Sequence, residues 1–124
     1  MKKTFWWGIG FIALILAIGY FSFSSSSSSK YDGFAQCLTD SGTKMYGAYW
    51  CPHCQEQKKL FGSSWDKVNY VECATPGSNE PKAVCNDAAI KSYPTWVFAD
   101  GESISGGLSL QQLSSFTDCP LPAE

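Results

Sequence analysis

Near the middle of the chain stands the stretch Tyr49-Trp50-Cys51-Pro52-His53-Cys54. The apolar residues 45–50 precede the first cysteine, and polar, helix-favouring residues follow it up to position 61. We therefore predict a strand over 45–50 that runs directly into a helix over 52–61. Pro52 suits the first helical turn, where its missing N–H costs nothing. The sulfur of Cys51 then lies at a helix N-terminus, where unpaired N–H groups and the positive dipole end stabilise a thiolate.

Length and composition set the class of protein. The chain has 124 residues and a formal net charge of −2, which favours one folded domain. Six cysteines in so small a protein indicate an oxidising compartment. The sequence contains no arginine and no basic patch interleaved with aromatic residues. Nucleic-acid binding therefore has no support.

The N-terminal segment predicts a membrane anchor. Residues 4–23 are twenty uncharged residues, enough to cross a bilayer core of roughly 30 Å at about 1.5 Å per residue. Trp6 and Trp7 stand at one end and Tyr20 near the other, as interfacial anchors do. The two lysines before this run favour a cytoplasmic N-terminus with the remainder outside. A cleavable signal peptide is the competing interpretation.

These features predict three regions. Residues 1–23 form the membrane anchor, residues 24–30 a flexible serine-rich linker, and residues 31–124 a folded domain. The predicted location is the cytoplasmic membrane, with a single span and the folded domain on the extracytoplasmic side, in a periplasm or at the cell surface.

The folded domain alternates predicted helices and strands. Helices are predicted over 32–40, 52–61, 82–90 and 108–117, and strands over 45–50, 69–73, 93–98 and 103–105. Asp32 is the expected N-cap of the first helix. This order predicts an α/β fold with a central mixed sheet and helices on both faces.

Two motifs in this order carry a family resemblance. Residues 50–54, followed some forty residues later by Tyr93-Pro94-Thr95, resemble the thioredoxin-like thiol–disulfide oxidoreductases. Residues 44–54 and 92–96 are most similar to the thioredoxin-like domains associated with bacterial homologues of vitamin K epoxide reductase. The Cys-Pro-His-Cys sequence is also similar to the site of DsbA, a periplasmic oxidase. The resemblance covers roughly residues 34–119 and implies a thioredoxin-like fold.

The resemblance also implies a second half of the site. It implies a cis bond before Pro94, which exposes the backbone of Tyr93 so that a substrate chain can pair with it; an ordinary trans proline at a strand edge is the alternative. Tyr93, Pro94 and Trp50 are the expected substrate-binding residues. The chain departs from thioredoxin at Met45, where thioredoxin keeps a buried aspartate that accepts a proton from the second cysteine.

Four residues between positions 51 and 54 are the expected catalytic residues. Cys51 is the expected exposed nucleophile, and Cys54, one turn into the helix, the buried resolving thiol. Pro52 starts the helix, and His53 favours the Cys51 thiolate, which makes the disulfide a stronger oxidant. His53 is the chain's single histidine, so an idle surface position is the alternative. No cofactor and no metal are expected.

The other four cysteines suggest structural disulfides. Cys73 and Cys85 flank a loop of turn-forming residues and are expected to pair, with a stabilisation of roughly 3 kcal/mol. Cys37 and Cys119 lie near the two ends of the domain, and their pairing would tether those ends. Connectivity does not follow from sequence alone, so a second, exchange-active pair at 73 and 85 stays open. A zinc site is disfavoured by the spacing.

Three functions remain after these considerations. The first is a membrane-anchored thiol–disulfide oxidoreductase that donates disulfides to secreted proteins. A quinone-linked membrane partner resembling vitamin K epoxide reductase would reoxidise it. The second is a membrane-tethered reductase or isomerase, and the third a non-catalytic binding module with this fold. The expected partners are proteins that carry thiols or disulfides, with the domain itself a monomer.

Overall fold

The computed structural model describes residues 29–124. Four strands and four α-helices follow one another in this range. They are α1 (Asp32–Asp40), β1 (Lys44–Gly47), α2 (Pro52–Phe61), β2 (Tyr70–Glu72), α3 (Ala83–Asp87), β3 (Thr95–Val97), β4 (Ser103–Ser105) and α4 (Leu110–Thr117). A 3₁₀ helix, Gly62–Lys67, continues from the end of α2.

The four strands form one mixed sheet in the order β2-β1-β3-β4. β1 pairs in parallel with β2 and antiparallel with β3, and β4 pairs antiparallel with β3. The parallel pair is joined through α2, as a crossover connection requires. The prediction of an α/β fold with a mixed sheet is confirmed.

Alternation along the strands gives the sheet two apolar faces. Met45 and Trp96 are paired and belong to the larger core cluster, which also contains buried residues of α1, α2 and α4. Tyr46 faces the other way, into a smaller cluster with Cys85 of α3 and Ile90. Helices therefore cover both faces, and α2 lies on the face of the larger core.

The strand that leads to the dithiol is shorter than predicted. β1 ends at Gly47, and residues 48–50 form a turn. The N–H of Cys51 donates to the carbonyl of Ala48 at 3.0 Å, and the N–H of Tyr49 donates to the carboxylate of Glu72 at 3.1 Å. Because these two N–H groups are bonded within the turn and to a side chain, they are not available to a neighbouring strand, and β1 ends before them.

Two further predicted boundaries are wrong for local reasons. α3 ends at Asp87 rather than near 90, because Ala89 adopts a positive φ of 55° that no helix continues. Asp32 is not an N-cap but lies inside α1, whose N-cap is Tyr31. Its carboxylate accepts hydrogen bonds from Ser29 N and Ser64 Oγ instead, so it ties α1 to the 3₁₀ helix.

The proposed anchor lies outside the described residues. No helix within residues 29–124 is long and apolar enough to span a bilayer. The anchor over 1–23 and most of the linker fall before residue 29, so these boundaries stay predictions.

Candidate active site

The start of α2 holds the two thiols. Cys51 is the N-cap residue with an extended backbone, φ −76° and ψ 119°, and Pro52 occupies the first helical turn. The N–H of Gln55 donates to the carbonyl of Cys51 at 3.1 Å, which closes the first turn. Cys51 and Cys54 are both free thiols. The sequence therefore places a dithiol one turn apart at a helix N-terminus, as expected.

Cys51 is less open than the sequence suggests. Its relative exposure is 6%, and that of Cys54 is 0%. The expectation that the Cys51 nucleophile is exposed is wrong, because the segment before β3 lies across its thiol. The Sγ of Cys51 points at the carbonyl oxygen of Tyr93, 3.7 Å away. A partner thiol must reach Cys51 along the groove beside Tyr93.

Burial dominates the electrostatics of the second thiol. The pKa of Cys54 is raised to about 11, chiefly by burial and further by the adjacent thiol of Cys51. The backbone N–H of Ala48 and the charge of Lys58 act in the opposite direction. Cys54 is therefore held as a neutral thiol at physiological pH, and it must lose a proton before it can attack a disulfide.

The Tyr93–Pro94 segment faces the dithiol. The peptide bond between these residues is cis, the form that the resemblance implies, and Pro94 is fully buried. The ring of Tyr93 meets that of Trp50 edge-on, with 6.1 Å between centroids. Trp50 is 58% exposed, so it presents a large apolar surface next to the thiols.

A groove of about 520 Å³ opens beside these residues. Trp50, Cys51 and Tyr93 line it. Glu80 and Pro81, in the loop that follows β2, line it as well. The structure thus brings together Cys51 and two of the residues expected to bind substrate along one cleft.

His53 lies on the outer surface of α2. Its side chain is 75% exposed, and Nδ1 lies 3.5 Å from a carboxylate oxygen of Glu56. The two side chains form an i,i+3 pair on the helix. The structure therefore places the imidazole next to Cys54 and two residues from Cys51 along the chain, in solvent rather than in the groove.

The remaining cysteines form two disulfides. Cys73 bonds to Cys85 across 12 residues, and Cys37 bonds to Cys119 across 82 residues. These are the pairings favoured from the sequence. Cys73 and Cys85 are both fully buried. Among residues 29–124, no three histidine, cysteine or acidic side chains come close enough to hold a metal ion.

Sequence reasoning missed the residues that surround the second thiol. Tyr70 and Glu72 of β2 face α2, and the hydroxyl of Tyr70 donates to the Glu72 carboxylate at 2.7 Å. Burial, then this carboxylate, raises the pKa of Tyr70. Strand alternation places positions 70 and 72 on one face, so the signal was present in the sequence. The sequence does not show which face of the strand meets the thiols.

Gln57 is the other residue that was missed. This side chain is 2% exposed. Its Nε2 donates to the carbonyl of Leu108 at 2.9 Å, and its Oε1 accepts from the N–H of Leu108 at 2.7 Å. It thereby joins α2 to the segment before α4. No local pattern predicts a partner 51 residues away.

Comparison with known proteins finds a thiol–disulfide oxidoreductase among the proteins similar to this chain. No protein-family model matches the chain. The chain is 45% identical over 98 residues to "Thiol-disulfide oxidoreductase LTO1" of Arabidopsis thaliana. The matched stretch covers 75% of this chain and 26% of that protein, so the chain spans about a quarter of its relative's length.

Solved thioredoxins show a more distant similarity. Malassezia sympodialis thioredoxin (Mala s 13) is 22% identical with a TM-score of 0.44, over 74% of this chain and 87% of that one. Chloroplastic thioredoxin z is 16% identical with a TM-score of 0.42, over 73% and 88%. Sequence identities and TM-scores this low are no basis for inferring the function of this chain.

The fold and the site together define the class. A mixed sheet with a dithiol at the start of α2 and a cis proline opposite it is a thioredoxin-like arrangement. The relative of highest identity given above is a thiol–disulfide oxidoreductase by name. The predicted α/β fold with a dithiol at a helix start is confirmed, and the thiol–disulfide redox activity stays a prediction.

Proposed function

We propose that the protein is a membrane-anchored thiol–disulfide oxidoreductase that donates disulfides to secreted proteins. The observation that carries this proposal is the Cys51–Cys54 dithiol at a helix N-terminus, with Cys51 lining a groove beside Tyr93. A substrate thiolate attacks the Cys51 sulfur of the oxidised site. Cys54 leaves as a thiolate, and a second substrate thiol releases Cys51 and forms the substrate's disulfide.

The location is part of the same proposal. The uncharged run over residues 4–23 favours a single span, with the folded domain on the extracytoplasmic side. Two disulfides in the folded domain fit an oxidising compartment. A tether to the membrane raises the effective concentration of the dithiol near a membrane partner.

The proposed reoxidation partner is a quinone-linked membrane protein resembling vitamin K epoxide reductase. Its support is the resemblance of residues 44–54 and 92–96 to domains associated with such proteins. The relative from Arabidopsis is about four times as long as the stretch it shares with this chain. That length leaves room for a further domain, which is consistent with a fused partner.

Turnover on a reduced peptide tests the proposal. The oxidised full-length protein is expected to form the disulfide of a peptide with two cysteines, and the Cys51→Ala variant is expected to form none. In cells, rapid alkylation of free thiols is expected to find the Cys51–Cys54 pair mostly oxidised. A mostly reduced pair indicates a reductase or isomerase. Failure of the wild-type protein both to oxidise the peptide and to reduce insulin indicates a binding module.

A further inference from the structure

The sheet below Cys54 carries an unexpected pair of side chains. Met45 cannot accept the proton of Cys54, although it stands where thioredoxin keeps an acid. Met45 pairs directly with Tyr70, and Gly47 pairs with Glu72. Directly paired residues share a face of the sheet. Tyr70 and Glu72 therefore lie on the same face as the second thiol.

Gly47 lets the phenol and the thiol approach one another. A Cβ at this position would lie 2.8 Å from Cys54 Sγ and 3.3 Å from Tyr70 Oη. Because both atoms lie so near one point, they are no more than about 6 Å apart. One water molecule can bridge a gap of that size. The glycine thus leaves a path for a proton from sulfur to phenol.

Glu72 completes the path. Its Oε2 accepts the hydroxyl of Tyr70 at 2.7 Å. Its Oε1 accepts the backbone N–H groups of Tyr49 at 3.1 Å and Ala74 at 3.0 Å. Three donors hold this carboxylate in place beside the phenol. A proton that leaves Cys54 through Tyr70 therefore has a fixed acceptor.

We propose that Tyr70 and Glu72 form the proton relay of Cys54. This inference rests on the proposed thiol–disulfide exchange. When a substrate is bound to Cys51 as a mixed disulfide, Cys54 passes its proton to Tyr70, directly or through one water, as Tyr70 passes its own to Glu72. The Cys54 sulfur bonds to the Cys51 sulfur, and the Cys51–substrate bond breaks. The electron pair leaves on the substrate thiolate, so the dithiol is oxidised and the substrate reduced.

Disulfide donation uses the same relay in reverse. A substrate thiolate attacks Cys51, the Cys51–Cys54 bond breaks, and the electron pair leaves on Cys54. Glu72, which the forward step leaves protonated when the pair is oxidised, returns that proton through Tyr70 to the departing sulfur. A thiolate with a raised pKa is a poor leaving group, so its protonation speeds this step.

The charges around Cys54 allow a relay to be distinguished from simple electrostatics, because the two predict opposite effects of removing the charge of Glu72. On α2, Lys58 faces the thiol, with Nζ 4.1 Å from the ring centroid of Tyr70, while His53 and Glu56 point to solvent. Cys51 and the phenol of Tyr93 complete the surroundings. Through its charge alone, Glu72 opposes ionisation of Cys54. Electrostatics without a relay therefore predict that Glu72→Gln speeds attack by Cys54, whereas the relay predicts that it slows it.

The experiment follows two thiol steps separately in the full-length reduced protein. With 5,5′-dithiobis(2-nitrobenzoate), attack by Cys51 releases one nitrothiobenzoate, and attack by Cys54 on the resulting mixed disulfide releases a second. At pH 7, Tyr70→Phe and Glu72→Gln are each expected to slow the second release at least tenfold and the first less than twofold. The controls are Tyr46→Phe, on the opposite face, and Glu102→Gln, in the exposed β3–β4 turn.

The pH profile separates a relay from a structural defect. For the relay, the second release in Glu72→Gln rises about tenfold per pH unit between pH 7 and 9, while the wild-type rate stays nearly flat. A second release that is unchanged or faster in Glu72→Gln overturns the proposal. So does an equal loss in both steps, or the same loss in Tyr46→Phe. Failure of the proposed function shows up differently, as normal two-step release by a wild-type protein that oxidises no peptide.

Discussion

Gly47 is the residue on which the packing of the second thiol depends. An added methyl group would lie 2.8 Å from Cys54 Sγ and 3.0 Å from Cε2 of Tyr70, closer than van der Waals contact allows. Neither atom belongs to a flexible chain end, so the strand or α2 must shift. The absence of a side chain here is a packing requirement, since the backbone of Gly47 is ordinary strand.

We predict that Gly47→Ala destabilises the protein by about 1–3 kcal/mol, the usual cost of overpacking a core. Urea denaturation measures this change. The matched control is Gly33→Ala in α1, where a Cβ would meet nothing within 4 Å. It is expected to stabilise the protein by about 0.5–1 kcal/mol, because alanine is the better helix former. A neutral Gly47→Ala would contradict the close approach of Cys54 and Tyr70.

At the scale of elements, α2 must be held firmly because it carries both thiols. Gln57 provides a buried connection, with two hydrogen bonds to the backbone of Leu108 and a longer one, 3.5 Å, from the indole N–H of Trp96. It lies one turn beyond Cys54 on the same helix. The position of the dithiol is therefore coupled to the segment that starts α4.

We predict that Gln57→Leu destabilises the protein by about 3 kcal/mol, since it leaves the buried N–H and carbonyl of Leu108 without partners. The free energy of unfolding in urea measures the loss. Gln111→Leu on the exposed face of α4 is the matched control, with an expected change within about 0.5 kcal/mol. Equal effects of the two substitutions would refute the connecting role of Gln57.

The helices and strands could largely be predicted from the sequence, but the contacts between them could not. The helix start at Cys51-Pro52 is a local pattern. The burial of Cys51 depends on a segment 42 residues away, whose carbonyl lies over its sulfur. Strand alternation gives the shared face of positions 70 and 72, but the side that meets α2 depends on how the helix packs.

At the scale of the whole molecule, two disulfides close loops of very different length. Cys37–Cys119 closes 82 residues and Cys73–Cys85 closes 12. Loop closure restricts the unfolded chain more strongly when the loop is longer. The larger loop encloses all four strands, so its disulfide constrains the whole unfolded domain.

We predict that the pair of changes Cys37→Ala and Cys119→Ala costs about 4.5 kcal/mol of stability. The pair Cys73→Ala and Cys85→Ala is expected to cost about 3 kcal/mol. Both double variants keep the Cys51–Cys54 site, so thermal or urea unfolding compares them directly. A larger loss from the short loop would contradict the unfolded-state account.

The pH dependence of the protein's stability differs between the reduced and the oxidised form of the dithiol. Burial raises the pKa of Cys54 from 9.0 to about 11, so the folded reduced protein keeps a proton that the unfolded chain releases. This contribution is fully present below pH 9 and is lost as the pH rises toward 11. The oxidised site has no such proton. Burial of Tyr70, whose pKa is also raised, affects both redox forms.

We predict that raising the pH from 7 to 10.5 costs the reduced form about 2 kcal/mol more stability than the oxidised form. Urea unfolding of the two forms, each with both structural disulfides intact, measures the difference. Parallel pH curves would show that Cys54 titrates alike in the folded and unfolded states, against the burial that the structure gives it.

The reduction potential of the Cys51–Cys54 pair tests the proposed disulfide donor most directly. Equilibration of the full-length protein with glutathione buffers measures it. A disulfide donor is expected to show a value clearly less negative than thioredoxin's, which is about −270 mV. The same measurement tests the predicted role of His53: His53→Ala lowers the potential by about 30 mV, a tenfold change in the equilibrium, if the imidazole favours the Cys51 thiolate, and leaves it unchanged if this exposed side chain is idle. A wild-type potential near thioredoxin's would contradict the account.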